Sequence, residues 1–132
     1  MKKRPYIFID IDGVVAIKYK INWGIVTRIN QFIREVDGIA ICSSDWRKYE
    51  SDYKYAKTFI PYQDKTTIKE NRQEEIKEYI ITHNITNYVI IDDMDCITDS
   101  EMIKHFVRTN EKIGFTRKEH KEAYDIVTMI VK

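Results

Sequence analysis

The chain has 132 residues and a net charge of +1, and 43% of its residues are hydrophobic. This length suits a substantial core, so we expect residues 1–132 to form a single domain. The small net charge gives no overall electrostatic argument for binding nucleic acid or membranes, although a local basic patch is compatible with it. No stretch approaches the roughly 18 apolar residues of a membrane span.

The first residues and the two cysteines bear on the location of the protein in the cell. The basic start, Met-Lys-Lys-Arg-Pro, leads into an apolar run that aspartates interrupt, which is not typical of a signal peptide. Cys42 and Cys96 lie beside apolar runs and outside any metal-ligand spacing, so we expect buried free thiols in a reducing compartment. We therefore expect a cytoplasmic protein with no membrane association and no obligate protein partner.

The first predicted element is a buried strand that begins at Ile7. Its apolar, β-branched run leads into Asp10 and Asp12, and Gly13 follows at once. The next stretches predict a short flap, a helix and a second buried strand, over Val14–Asn22, Trp23–Val36 and Ile39–Cys42. A candidate helix over Lys48–Lys57 is then followed by Thr58–Thr67, which contains Pro61 and is typical of a loop.

The second half of the chain continues this alternation. Helical spacing covers Ile68–Ile81, and a third buried strand is predicted over Tyr88–Ile91. A short strand is predicted over His105–Val107, and Thr116–Glu119 matches a capping box. The box opens a last helix, whose apolar positions are Tyr124, Val127 and Ile130. Strands that alternate with helices predict an α/β fold with a parallel central sheet.

Polar residues follow each of the three predicted central strands. They are Asp10 and Asp12, then Ser43 and Ser44, then Asp92 and Asp93. Parallel strands bring their carboxyl ends to one edge of a sheet, so these groups can converge there. Residues i and i+2 of an extended segment point the same way, so Asp10 and Asp12 predict a hard oxygen site of the kind that Mg²⁺ prefers. A strand followed by an ordinary Asp-Gly turn is the alternative.

This cluster suits phosphate chemistry. Mg²⁺ would neutralise the converging carboxylates and let the site accept a phosphate. Serine hydroxyls and backbone N–H groups can hold phosphate oxygens. A further cation is needed to balance charge in the transition state, and Arg72 and Lys69 are the candidates.

Four segments together resemble the motifs of the haloacid dehalogenase (HAD) superfamily. They are Asp-Ile-Asp-Gly-Val at 10–14, Ser-Ser-Asp-Trp-Arg at 43–47, Arg72 ahead of Glu75-Ile76, and Ile-Ile-Asp-Asp at 90–93. Within the superfamily, the chain resembles the small HAD domains of RNA-repair proteins, relatives of the phosphatase domain of polynucleotide kinase-phosphatase. The segment from His105 to Thr116 is similar to the C-terminal part of that group, so the resemblance covers nearly the whole chain.

The resemblance implies a Mg²⁺-dependent phosphatase that works through an aspartyl-phosphate. Asp10 would be the nucleophile, and Asp12 would act as general acid and then as general base. Asp92 and Asp93 would complete a Mg²⁺ site with Asp10 and the backbone carbonyl of Asp12. Ser43 or Ser44 would bind the phosphate. The superfamily usually carries lysine at its third motif where this chain has Arg72, so Arg72 or Lys69 would hold the phosphate.

The resemblance also predicts a three-layer Rossmann-like fold with little or no cap. Only about 30 residues separate the first two motifs, too few for a folded cap domain. An open site favours a nucleotide or a nucleic-acid 3′-phosphate end as substrate. The alternatives are a phosphatase of small metabolites and a weakly catalytic domain that binds a phosphorylated partner. Trp46 and Arg47 are candidates for contact with the substrate, although Trp46 also suits packing and Arg47 also suits solvent.

Overall fold

The structure, a computed structural model, describes residues 4–129. Its strands are β1 (Tyr6–Ile9), β2 (Ala16–Ile17), β3 (Lys20–Ile21), β4 (Ile39–Cys42), β5 (Tyr62–Lys65), β6 (Tyr88–Asp92) and β7 (Phe106–Arg108). Its α-helices are α1 (Trp23–Val36), α2 (Glu50–Ala56), α3 (Arg72–Thr82) and α4 (Arg117–Met129). Five strands form one sheet in the order β5-β4-β1-β6-β7, and its neighbouring strands are all parallel.

Helices cover both faces of this sheet. Ile7 and Ile9 of β1 lie in a core with apolar residues of α1, α2 and α4, which include Phe32, Ala56 and Val127. Phe8, between them in sequence, lies in a second core with Ile76 of α3. This alternation is what a strand buried on both faces requires. The predicted three-layer α/β fold with a parallel central sheet is confirmed.

The prediction of a loop over Thr58–Thr67 is wrong, because Tyr62–Lys65 forms β5 at one edge of the sheet. Only Tyr62 of this strand is buried, and its other three residues are exposed and polar. An edge strand with one apolar residue gives no alternating pattern, and the preceding Pro61 strengthened the turn signal. The new strand matters for the site because it brings Thr66 next to the end of β4.

Two helix starts are set by capping side chains. Asn71 accepts a hydrogen bond from the backbone N–H of Glu74, so α3 begins at Arg72 rather than at the predicted Ile68. The backbone N–H of Thr116 donates to Oε1 of Glu119, as the predicted capping box requires. The last predicted apolar position, Ile130, lies outside the described residues.

The segment that joins β1 to β4 contains no folded cap among the described residues. It holds the β2–β3 hairpin, which corresponds to the predicted flap, and then α1. Cys42 is buried and Cys96 half-buried, and both thiols are free. None of the helices described between residues 4 and 129 is long and apolar enough to span a membrane.

Candidate active site

The carboxylates of Asp10, Asp92 and Asp93 meet at the carboxyl edge of the sheet. β1 and β6 are neighbours, with Ile9 opposite Ile91, and the backbone N–H of Asp10 donates to the carbonyl of Ile91. This register places the first residue after β1 beside the last residue of β6. One oxygen from each carboxylate lies within 4.8 Å of the other two, so these three side chains form a group that can hold a metal ion.

These three carboxylates repel one another. Burial, and then the nearby charge of Asp92, raises the pKa of Asp10 well above its ordinary value. The same two causes, in the same order, raise the pKa of Asp93. The guanidinium of Arg72 partly offsets this for Asp10. A group of hard oxygen donors with excess negative charge has the chemistry that a divalent cation such as Mg²⁺ needs.

Gly13 allows Asp93 to reach this group. Gly13 has a backbone φ of +79°, an angle that residues with a Cβ rarely adopt. A Cβ at this position would also lie 2.3 Å from Oδ2 of Asp93. Gly13 therefore has two roles: it turns the chain after Asp12, and it leaves space for the carboxylate of Asp93, which follows β6.

Asp12 does not join the three carboxylates. The prediction that Asp10 and Asp12 point the same way assumed that both lie in an extended strand. β1 ends at Ile9, so neither aspartate is part of it. Oδ2 of Asp12 instead accepts a hydrogen bond of 3.1 Å from the indole Nε1 of Trp46. Its Oδ1 is buried and has no hydrogen-bond partner within the structure. One oxygen is therefore held in place, and the other can serve a reacting group.

The two serines after β4 have different surroundings. Oγ of Ser44 accepts a hydrogen bond of 3.2 Å from the backbone N–H of Trp46 and caps the 3-10 turn over Asp45–Lys48. Oγ of Ser43 is fully buried and has no partner within the structure. A buried hydroxyl without a partner is unfavourable unless a ligand or water satisfies it. This makes Ser43 the stronger candidate for a phosphate contact.

Arg72 reaches the carboxylates and Lys69 does not. Nη1 of Arg72 lies 2.5 Å from Oδ2 of Asp92 and 3.7 Å from Oδ1 of Asp10. Burial alone would lower its pKa, but the carboxylates of Asp10 and Asp92 outweigh burial and raise it. Nζ of Lys69 lies 2.7 Å from a carboxylate oxygen of Glu78 on the outer side of α3, and its side chain is 44% exposed. Of the two candidate cations, Arg72 is therefore the one that lies beside the carboxylates of Asp10 and Asp92.

Arg47 is buried rather than solvated. Its guanidinium donates to the backbone carbonyls of Thr66, Ser43 and Ser44 at 2.9, 3.1 and 2.8 Å. Its Nη2 also lies 2.7 Å from Oε1 of Glu75. These contacts tie the turn after β4 to the segment after β5, so Arg47 shapes the loop that carries the two serines. Contact between Arg47 and a substrate stays a prediction.

Glu75 is a site residue that the sequence argument missed. Its Oε1 lies 2.7 Å from Nη2 of Arg47 and 3.6 Å from Nε of Arg72, so one buried carboxylate faces two arginines. Asp45 provides a further contact, 3.3 Å from Nη2 of Arg72. The spacing of Arg72 and Glu75, three residues apart on one helix, was the available signal.

We expect Glu75→Ala to destabilise the fold by about 3–5 kcal/mol, because it leaves the buried charge of Arg47 without its buried counter-ion. Urea unfolding followed by circular dichroism measures this change. The matched control is Glu78→Ala on the same helix, whose carboxylate pairs with the exposed Lys69. The control should shift the unfolding midpoint much less, since exposed ion pairs contribute little. Equal shifts of the unfolding midpoint in the two variants would contradict the role of Glu75 as the buried partner of Arg47.

A comparison with known families matches most of the chain. The family model described as "HAD domain in Swiss Army Knife RNA repair proteins" matches residues 6–120, which run from the start of β1 into α4. The matched range includes every carboxylate, serine and arginine described above. Neither the curated proteins nor the solved structures gave a match.

Proposed function

Because the chain belongs to the family of HAD domains in Swiss Army Knife RNA repair proteins, we propose that it hydrolyses phosphomonoesters through an aspartyl-phosphate. The observation that carries this proposal is the buried Asp10 carboxylate, which lies beside Asp92, Asp93 and the Arg72 guanidinium at the end of a parallel sheet. An oxygen of Asp10 attacks phosphorus, and the bond from phosphorus to the leaving oxygen breaks.

Asp12 is suited to move the proton in both halves of this reaction. In the first half, its carboxyl group gives a proton to the leaving oxygen, which departs as an alcohol. In the second half, the resulting carboxylate takes a proton from water as the water attacks phosphorus. Phosphate leaves and Asp10 regains its carboxylate. The free Oδ1 of Asp12 is the oxygen available for both transfers, since Oδ2 accepts the hydrogen bond from Trp46.

Arg72 and Ser43 are suited to hold the phosphate that is transferred. The guanidinium can bind two phosphate oxygens at once, and the unpartnered Ser43 hydroxyl can donate to one of them. Asp10, Asp92 and Asp93, with the Asp12 carbonyl, would hold Mg²⁺. When bound, the ion would neutralise the carboxylates and reduce the repulsion between Asp10 and an anionic phosphate.

We expect Mg²⁺ to raise the melting temperature by at least about 3 °C, roughly 1 kcal/mol, because the ion binds the native carboxylate group and not the unfolded chain. Differential scanning fluorimetry in EDTA and in millimolar Mg²⁺ measures the shift. Asp92→Asn should lose most of it, while the control Asp125→Asn on α4 should keep it. Identical melting curves in EDTA and Mg²⁺ would count against a metal site.

We further propose that the substrate is a nucleotide or a nucleic-acid 3′-phosphate end. The segment between Asp10 and Ser43 holds only a short hairpin and a single helix, and the described residues there form no folded cap, so a bulky phosphorylated end can reach the site. The family's association with RNA repair supports the same class. A small sugar phosphate gains less from an open cleft, since nothing closes over it to exclude water.

A phosphatase screen with Mg²⁺ tests both parts of the proposal. It compares p-nitrophenyl phosphate, hexose phosphates, nucleoside monophosphates and 3′-phosphorylated oligonucleotides. We expect kcat/KM for the last two classes to exceed that for hexose phosphates by about tenfold or more, which equals roughly 1.4 kcal/mol. Better turnover of hexose phosphates would favour a phosphatase of small metabolites. Binding of phosphorylated oligonucleotides without turnover of any substrate would favour a binding domain.

A further inference from the structure

Three aromatic side chains form a shelf beside the predicted general acid. This aromatic shelf consists of Trp46, Tyr55 and Phe59. The rings of Trp46 and Tyr55 are nearly parallel, with an interplanar angle of 18° and centroids 6.3 Å apart. Phe59 is buried, and its ring meets both at steep angles, 88° to Trp46 and 69° to Tyr55. The buried ring therefore supports the two outer ones, and Tyr55 is 49% exposed.

A hydrogen bond connects this shelf to the reacting groups. Nε1 of Trp46 donates to Oδ2 of Asp12, so the indole ring touches the side chain that gives a proton to the leaving oxygen in the proposed reaction. Whatever is attached to that oxygen must lie on the Asp12 side of the phosphate. The neighbouring surface on that side includes the aromatic shelf. A substrate's leaving group therefore meets aromatic rings as it approaches Asp12.

We propose that the aromatic shelf stacks the nucleobase of the nucleoside that carries the phosphate. This inference rests on the proposed phosphatase function and adds the site that recognises the leaving group. A nucleobase is flat, aromatic and lies a few bonds from the 3′-oxygen. Aromatic side chains bind bases through stacking without regard to base identity. The shelf therefore selects a nucleoside phosphate over a sugar phosphate while it accepts any of the bases.

Two other tyrosines near the aromatic shelf, Tyr53 and Tyr49, do not combine an uncovered ring with a contact to Trp46. The ring of Tyr53 has Nζ of Lys57 and Nζ of Lys65 at 4.8 and 4.6 Å from its centroid, so cations cover it. Tyr49 is 68% exposed, but it contacts no other aromatic ring within the described residues. Tyr55 is thus the tyrosine that joins the Trp46 ring, and Tyr49 provides a matched control of the same residue type.

The test compares two substrates that differ only in the base. One is a short oligoribonucleotide with a 3′-phosphate, and the other carries an abasic residue at the phosphorylated end. We expect the protein to prefer the first by about tenfold in kcat/KM, a typical effect for one stacked base. Tyr55→Leu keeps the apolar bulk but lacks a ring, so it should bring the ratio close to one. Tyr49→Leu should leave the ratio unchanged.

Two results would overturn the proposal. One is equal kcat/KM for the two substrates in the unchanged protein. The other is a Tyr55→Leu variant that keeps the tenfold preference or loses both substrates equally.

A binding measurement separates this inference from the proposed function. The chain has two tryptophans, so Trp23→Phe leaves Trp46 as the single tryptophan reporter. This substitution keeps an aromatic ring at position 23, where Trp23 packs against Phe59 of the shelf with ring centroids 5.6 Å apart. A stacked base should quench its fluorescence when the 3′-phosphorylated oligonucleotide is added, and the abasic form should quench it much less. Quenching without turnover of any phosphomonoester would retain the shelf and reject the phosphatase. Turnover with equal quenching by the two forms would retain the phosphatase and reject the shelf.

Discussion

Replacing Asp10 with asparagine is expected to lower phosphatase turnover by at least about 10³-fold. The variant keeps the shape of the side chain but removes the charge that attacks phosphorus, so the covalent route is lost. Steady-state hydrolysis of p-nitrophenyl phosphate in saturating Mg²⁺ measures the loss. Transfer of radiolabelled phosphate to the protein, trapped by acid, provides a second measurement, and the label should be absent from the variant.

The stability of Asp10→Asn provides its control. Burial and the charge of Asp92 already disfavour the ionised form of Asp10, so a neutral side chain should relieve repulsion in the metal-free protein. We therefore expect the variant to melt at or above the temperature of the unchanged protein in EDTA. Inactivity together with a lower melting temperature would indicate misfolding instead. Turnover close to that of the unchanged protein would reject Asp10 as the nucleophile.

Much of the fold follows from local patterns in the sequence. The central strands β1, β4 and β6 were predictable because each is an apolar run that stops at polar residues. A parallel sheet then places those polar residues at one edge, which explains why Asp10 and Asp92 become neighbours. β5 could not be predicted in this way, because Tyr62 is its only buried residue.

The details of the site depend on contacts between distant residues. The spacing of Ser43 and Ser44 does not distinguish them, because the difference lies in which hydroxyl caps the turn at Trp46. The bond between Trp46 and Asp12 joins residues 34 positions apart, so no local pattern contains it. Sequence spacing gives the chemical groups that reach the edge of the sheet, and tertiary packing decides which oxygen of each is free.

The cap of α3 explains why Arg72 rather than Lys69 lies beside the carboxylates. Because Asn71 caps α3, the helix begins at Arg72, and this residue lies in the first turn, close to the ends of β1 and β6. Lys69 precedes the cap and pairs with Glu78 instead. Helical periodicity over Ile68–Ile81 placed both cations on the same helix, so it did not separate them.

Arg72→Ala is expected to lower kcat/KM by about 10²-fold or more, since removing one donor to a developing oxyanion has effects of this size. Lys69→Ala, the matched control, should stay within about twofold, because Nζ of Lys69 is committed to Glu78. Arg72→Lys should fall between them, since an ammonium keeps the charge but lacks the fork that binds two oxygens. Each variant is assayed with the same phosphomonoester in saturating Mg²⁺, which offsets the charge lost beside Asp10 and Asp92. If Lys69→Ala lost as much activity as Arg72→Ala, the two cations would be equivalent in the assay, and the assignment of the phosphate contact to Arg72 rather than Lys69 would be rejected.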